Sequence, residues 1–270
     1  CNNSVTCESV RTLIFIKEKN LVKKIKGLFK LFRFELPFSA GVCVVMGQLF
    51  ALDKLASFLV TLFAFGSVFF ISASVLILND YFDVETDRIN APYRPIPSNL
   101  VSPFEALLLS IVVSFVGIIL SYLINTTALL CTIVLFIIGF LYNWKLKKTG
   151  LPGNIMVSIS VGMTFIYGGV SVGLPFNKIV LLFSLIAALI DLGEEIAADA
   201  MDVLGDTLIK SNSIAIKYGR NTALRISVCI FYFVVLLTVF PIVMGWFTAI
   251  YLISFLIMDT VIVYSSIKLL

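Results

Sequence analysis

The sequence predicts an all-α, multi-pass transmembrane bundle with an aspartate-rich active site at one water edge. Three observations predict it. First, 60% of the 270 residues are hydrophobic and only 13% are charged, with a mean hydropathy of +1.06; soluble domains carry about 25% charged residues. Second, the apolar residues fall into runs close to the roughly 20 residues that a helix needs to cross a hydrocarbon core. Third, lysine and arginine collect in alternate connections, as they do on one face of a membrane protein.

Eight spans are expected, at about 34–52, 55–78, 104–124, 126–142, 154–174, 178–198, 222–241 and 246–266. Several connections are very short, which suits antiparallel neighbours. The chain divides into a basic flank, 1–33, and a single transmembrane domain, 34–270. Eight cations precede Phe34. Others follow span two (Arg88, Arg94), span four (Lys145, Lys147, Lys148) and span six (Lys210, Lys217, Arg220, Arg225), and Lys268 follows the last span. The opposite face has Lys54 and Lys178. This asymmetry puts both chain ends on the cytoplasmic face of the cell membrane. The segment from Lys17 to Arg33 is basic and partly amphipathic. It suits a helix lying on an anionic membrane surface, or equally a plain cytoplasmic flank.

Composition also excludes chemistry. There is no histidine, which removes histidine acid–base catalysis, histidine-ligated haem and most zinc sites. Cys43, Cys131 and Cys229 lie in apolar runs, and no disulfide framework is expected. No secretory signal peptide is read at the start. The partners expected are membrane lipids and apolar substrates, with no nucleic acid.

Two acidic clusters carry the chemistry. The first runs Asn79-Asp80-Tyr81-Phe82-Asp83-Val84-Glu85-Thr86-Asp87; the second contains Asp199, Asp202 and Asp206. Asn79, Asp83 and Asp87 are spaced i, i+4, i+8, and Asp199, Asp202 and Asp206 are spaced i, i+3, i+7. Each set would share one face of a continuous helix. Both clusters lie on the cytoplasmic side. Carboxylates beside a membrane are costly unless a cation lies between them. Mg²⁺ takes oxygen ligands and commonly shares them with substrate phosphates, so Asn79, Asp83, Asp87, Asp199, Asp202 and Asp206 are its expected ligands and a lipid diphosphate the expected substrate. Ordinary solvated loops are the alternative, weakened by the recurrence of the pattern.

Around the clusters, Arg88 and Arg94 are expected to grip phosphate, as guanidinium can with two parallel hydrogen bonds. The loop Tyr142-Asn143-Trp144-Lys145-Leu146-Lys147-Lys148-Thr149-Gly150 adds Tyr142, Asn143, Lys145 and Lys147 on the same face, either to hold phosphate or only to set topology. Lys210 follows the second cluster. Asp191, Glu194 and Glu195 either extend the second acidic face or pair with cations from another helix. Asp259, alone in the last span, is expected to hydrogen-bond a neighbouring helix.

These residues resemble the UbiA superfamily of intramembrane prenyltransferases. Asn79, Asp83 and Asp87 match its Asn-x-x-x-Asp-x-x-x-Asp motif after the second helix, and Asp199, Asp202 and Asp206 match its second aspartate-rich motif after the sixth. Tyr142, Asn143, Lys147, Thr149, Gly150 and Asn154 are similar to its loop between helices four and five. The resemblance runs from about Arg33 to the end and looks closest to archaeal ether-lipid members. It implies Mg²⁺-dependent transfer of a geranylgeranyl group from geranylgeranyl diphosphate to the hydroxyl of geranylgeranylglyceryl phosphate. Asp83, Asp87, Asp199 and Asp202 would be catalytic, with Asn79, Asp80 and Asp206 assisting, and Asp80 or an aspartate of either cluster would take the hydroxyl proton. The chain departs from the family at Glu194-Glu195 and Ala198-Asp199, where members often show Arg-Glu and Lys-Asp. It also departs in span number, eight against a usual nine, and at Arg33-Phe34-Glu35-Leu36-Pro37, a loose match to the usual first-helix entry. An aromatic acceptor, as in quinone or haem synthesis, fits the same motifs. A cation transporter fits them less well, because transporter sites lie near the bilayer midplane.

Overall fold

A computed structural model describes residues 21–208, 210–247 and 249–269 of the chain; the side chains of residues 205, 206, 208, 249 and 250 also lie outside the description. Among the described residues every regular element is helical. A short helix α1 (residues 21–31) leads into α2 (Glu35–Leu52), α3 (Phe58–Phe82), α4 (Val84–Asn90), α5 (Pro103–Tyr122), α6 (Thr126–Trp144), α7 (Leu151–Ser171), α8 (Lys178–Met201), α9 (Val203–Leu208), α10 (Ile214–Tyr218), α11 (Arg220–Val243) and α12 (Ala249–Leu269). A single 3₁₀ turn, Leu146–Thr149, joins α6 to α7. The eight long helices overlap the eight expected spans. Seven of them are long and apolar enough to cross a membrane. The remaining one, α8, is 24 residues long but carries Asp191, Glu194, Glu195 and Asp199 near its end.

Local chemistry fixes where these helices start and stop. Ser102 closes a capping box with Glu105, and Pro103 follows at the first helical position of α5, where the missing N–H costs nothing. Asn125 and Asn177 accept from the backbone N–H groups of Ala128 and Ile179 to cap α6 and α8, each at 2.8 Å. Asp53 ends α2 in the left-handed region, φ 55°. The ends at Asp53, Asn125 and Asn177 share the rim with Lys54 and Lys178, opposite the acidic clusters, whereas the Ser102 cap lies on the acidic side, one loop after α4.

Between the rims, small residues let helices approach, as expected where apolar burial gives no drive to associate. α2 and α7 meet at Gly47 and Gly168; a Cβ on either would strike the other helix's backbone, at Phe165 or Val44. α6 approaches α3 at Gly139, against Val75, and α8 approaches α11 at Gly193, against the Phe231 ring. Polar groups of α2, α3 and α7 inside the bundle find partners: Tyr167 donates to Ser67 at 3.0 Å, and Gln48 donates to Ser171 at 2.8 Å while accepting from Thr61. Thr238 donates to Asp259 at 2.8 Å, so Asp259 does join α12 to α11. Cys43, Cys131 and Cys229 are free thiols.

Helix α1 is amphipathic. Leu31 is fully buried in a core with Ile77, Ile96, Val101 and Ala106. Gly27 lies against Leu100 and Val101, and Lys24 pairs with Glu105 of α5. Leu21, Val22, Ile25 and Phe29 remain exposed. The basic flank before residue 21 lies outside the described residues.

Replacing Gly47 or Gly168 by leucine is expected to separate α2 from α7, at a cost of at least about 1–3 kcal/mol, as overpacking does. Thermal unfolding in detergent checks this; an unchanged melting temperature in either variant would refute the close crossing.

Candidate active site

The two acidic clusters are built the same way. Helix α3 ends at Asp83, whose backbone leaves the helix at φ −90°, ψ 9°, and α4 begins at the next residue. Helix α8 ends at Asp202, at φ −99°, ψ 15°, and α9 begins at the next residue. Each break-point N–H still bonds to the carbonyl four residues back, Asn79 for Asp83 and Ala198 for Asp202. The expectation of one continuous helical face for each cluster is therefore corrected: Asn79 lies on α3 and Asp87 on α4, while Asp199 lies on α8 and Asp206 on α9. The breaks also set a common register. Asp83 corresponds to Asp202, Asp87 to Asp206 and Asp80 to Asp199, whereas Asn79 corresponds to Ala198. The short helices α4 and α9 pack against each other, which brings the two motifs together.

Buried charge in this region is paired. Asp80, 1% exposed, forms an ion pair with Arg33, and Arg94 lies 3.5 Å from it. Asp87, 5% exposed, accepts from Arg94 through both oxygens at 2.6 and 2.7 Å. Burial pushes the Asp87 carboxyl above its ordinary value, with Arg94 opposing. Burial acts to lower Arg94, yet Asp87, Asp80 and Asp83 around it hold its guanidinium above the usual value, so it stays charged. Asp83 pairs with Lys147, which comes from the 3₁₀ turn after α6. The Lys147 charge also acts on Asp87, Glu195 and Asp199, so this one ammonium lies within electrostatic reach of both clusters.

The second cluster is held by neutral donors. Asn154 of α7 donates to Asp199 at 2.9 Å, and Ser158 donates to Asp191 at 2.9 Å. Tyr142 donates its phenolic hydrogen to Glu195 at 2.8 Å. Of the two alternatives for Asp191 and Glu195, the cation-paired one is thus replaced by hydroxyl donors from α6 and α7. Glu194 and Asp202 are exposed. Asp206 sits on α9, but its side chain lies outside the described ones.

The remaining expected residues divide clearly. Asn143 is buried and its amide is engaged on both sides, accepting from Asn79 and donating to the Val75 carbonyl, each at 3.0 Å. It holds α6 to α3. Tyr142 is likewise buried. Arg88, Lys145 and Lys210 are exposed at the rim. Lys210 turns the chain at φ 54°, and the following strand of loop docks on the α6–α7 turn, where the Asn212 N–H bonds to the Lys148 carbonyl at 3.0 Å. Gly150 is required there: its φ is +73°, and a Cβ would strike the Asn212 backbone.

Sequence reasoning missed Arg33 and Ser158 as members of the acidic region, and named Asn154 only for its similarity to the family's loop. Arg33 stood in the basic flank, 47 positions from Asp80. Asn154 and Ser158 lie at i, i+4 on α7, a polar pair in an apolar run that was legible as an interior stripe. Among the described residues no three acidic side chains converge closely enough to chelate a cation unaided. The donor set is nevertheless aspartate and asparagine oxygen without histidine or clustered thiol, which suits a hard cation that also takes oxygens from a phosphate-bearing ligand.

Comparison with known proteins agrees with this construction. The model of the UbiA prenyltransferase family matches residues 37–270. The digeranylgeranylglyceryl phosphate synthase of Methanopyrus kandleri is 39% identical over 172 residues, a match spanning 63% of each chain and so less than two thirds of that relative's length. A solved structure of digeranylgeranylglyceryl phosphate synthase superposes with a TM-score of 0.69 at 32% identity, covering 91% of this chain and 87% of the other. A UbiA homologue from Archaeoglobus fulgidus, solved with DMAPP and Mg²⁺, shares the fold at a TM-score of 0.69 and 18% identity, covering 89% and 84% of the two chains. A family match over nearly the whole bundle, on a chain whose two aspartate-broken helices meet at one rim, establishes that this chain belongs to the UbiA prenyltransferase family.

Proposed function

We propose that this enzyme transfers a geranylgeranyl group from geranylgeranyl diphosphate to the hydroxyl of geranylgeranylglyceryl phosphate, a step of archaeal ether-lipid synthesis. The observation that supports the reading is the packing of α4 against α9 with Lys147 paired to Asp83, which brings two aspartate sets and a cation to one rim. The name of the relatives gives the product of that step, and the homologues solved with DMAPP or GPP and Mg²⁺ support a prenyl diphosphate as donor. The reading includes eight membrane spans, with α8 crossing as the one acid-bearing helix, a basic flank over 1–33 and the active site at the cytoplasmic face of the cell membrane, as the lysine and arginine distribution favours.

Asp83, Asp87, Asp199 and Asp202, with Asn79 and Asp206, would hold Mg²⁺, which supplies charge neutralisation for a departing diphosphate. The chain's own cations complete that task. Arg94 stays charged beside Asp87 and Asp80, and Arg33 neutralises Asp80, so two guanidinium groups are positioned by one buried carboxylate. Lys147 compensates Asp83 and, as a compact point charge on a flexible stem, can turn toward phosphate. Exposed Arg88, Lys145 and Lys210 suit the phosphate of the acceptor. In the reaction the bond between C1 of the prenyl group and the diphosphate oxygen breaks, its electron pair leaving with diphosphate. The acceptor oxygen bonds to C1, and its proton passes to a carboxylate. Asp80 is already engaged, in an ion pair with Arg33 and with Arg94 3.5 Å away, so a proton arriving there would break a buried ion pair. An aspartate of the second cluster, held by neutral donors, suits the role better.

A transfer assay in detergent or lipid tests the reading. Labelled geranylgeranyl diphosphate with Mg²⁺ should label geranylgeranylglyceryl phosphate, and EDTA should abolish labelling. Labelling of an aromatic acid alone would move the enzyme to another pathway. Asp83→Ala and Asp202→Ala should each lower transfer by about 10²–10³-fold, the scale of losing one electrostatic stabiliser, while the purified protein keeps its helical circular dichroism; full activity in either would overturn the ligand assignment.

Lys147→Ala should leave Asp83 without its ion-pair partner. Its melting temperature without ligand should fall below that of the unaltered protein, and Mg²⁺ with diphosphate should recover much of the difference. A melting temperature equal to that of the unaltered protein would show that Lys147 does not compensate the acids.

A further inference from the structure

Helix α1 presents three different sides. With about 3.6 residues per turn, Lys24, Gly27, Leu28 and Leu31 fall on one of them. That side is docked on the bundle: Leu31 is fully buried, Gly27 lies against Leu100 and Val101, and Lys24 pairs with Glu105. About a third of the way round, Leu21, Val22, Ile25 and Phe29 form an apolar side, and each of these residues is between 43% and 59% exposed. Lys23, Lys26 and Lys30, spaced i, i+3, i+7, form the third side. All three are exposed, and among the described residues none has an ion-pair partner.

The apolar side does not end with the helix. Phe29 and Phe32 each stack on Phe34, at 6.1 and 5.2 Å between ring centroids, and Phe34 lies 6.1 Å from Phe69 of α3. Phe34, Leu36, Phe38 and Val42 carry the exposed apolar surface onto α2, a helix long and apolar enough to cross a membrane. The apolar side of α1 is thus continuous with the belt that faces hydrocarbon. An apolar side on that belt, with ammonium groups on the next side, is the arrangement of a helix lying in the headgroup layer. There lysine stems cover apolar surface while their charged ends reach phosphate. A solvated flank has use for charge but none for a contiguous apolar side.

We infer that α1 is an in-plane anchor whose Lys23, Lys26 and Lys30 dock on the phosphate headgroups of anionic lipids, in the leaflet at the acidic rim. The occupant is lipid rather than a second copy of the chain. In a two-fold pair the same surface meets itself, so the lysine side would face like charge, whereas a phosphate layer supplies the opposite charge. Leu31 and Arg33 join the docked segment to the acidic rim, one through the core it shares with Ile77 and the other through Asp80. This docking is independent of which acceptor the enzyme prenylates.

Ile25→Trp in the full chain, reconstituted in phosphatidylcholine vesicles, gives a fluorescent reporter on the apolar side, and Val22→Trp gives a second. The signal of Trp144 and Trp246 is removed by subtracting the unaltered protein. The reporter should be quenched by lipid brominated high on the acyl chain and protected from aqueous acrylamide, because the apolar side of such a helix lies about 5–10 Å into the headgroup and acyl boundary. At equal mole fraction, brominated phosphatidylglycerol should quench about two- to fivefold more effectively than brominated phosphatidylcholine, the scale of one lysine at an anionic surface. Lys23→Gln, Lys26→Gln and Lys30→Gln combined should abolish that preference while the Lys24–Glu105 pair stays in place. Salt at about 1 M should do the same to the unaltered lysines, since it shortens the Debye length to about 3 Å. Quenching by acrylamide and not by brominated lipid would overturn the anchor. Equal quenching by the two lipids, or a preference that survives the lysine changes, would overturn the docking on anionic headgroups. Protection from both quenchers would put a second copy of the chain on this side and overturn the lipid assignment.

Discussion

Carboxylates at the edge of a hydrocarbon layer dominate the design of this protein. Asp80, Asp83 and Asp87 are each less than a tenth exposed, and an isolated buried carboxylate costs several kcal/mol even after relaxation. The fold meets that cost from three directions. Arg33 comes from the segment before the first long helix, Arg94 from the loop after α4, and Lys147 from the turn after α6. Take away that convergence and the rim would have to open to water, which would separate α4 from α9. The α1 segment, the 91–102 loop and the Gly150 turn are thus part of the site even though none carries an acidic ligand.

The two halves of the site solve the same problem differently. The first cluster is neutralised by cations, the second by neutral donors: Asn154, Ser158 and Tyr142. A uniformly cation-paired site would leave no carboxylate able to exchange its partner for a proton at low cost. A uniformly neutral one would repel itself in the absence of ligand. The asymmetry also bears on the departures at Glu194 and Ala198, where the resemblance to the family implies cations. With neither present, Lys147 is, among the described residues, a cation whose field reaches both clusters.

Below the rim, the bundle is held by shape. Glycine crossings at α2–α7, α3–α6 and α8–α11 bring backbones close enough for dispersion to replace the missing hydrophobic drive. The far end is the exception: there the rings of Phe50, Phe165 and Phe183 pack across α2, α7 and α8.

Hydropathy alone placed the eight long helices, most ends within a few residues, because a 20-residue apolar run has few other outcomes in a membrane. Charge asymmetry alone put the acids on one rim, and spacing marked Asn79, Asp83, Asp87, Asp199, Asp202 and Asp206 as two matching sets. The helix breaks at Asp83 and Asp202 were not legible, since a spacing of four is equally consistent with a continuous helix, and only packing of α4 against α9 selects the break. Nor were the partners legible. Asn143 and Tyr142 read as ligand-facing and are spent on holding α6 to α3 and α8, while Arg33 read as topology and neutralises Asp80. Periodicity and composition are properties of neighbours along the chain; the pairing of Arg33 with Asp80, or of Asn154 with Asp199, depends on which helices touch, and that was decided only when the bundle closed.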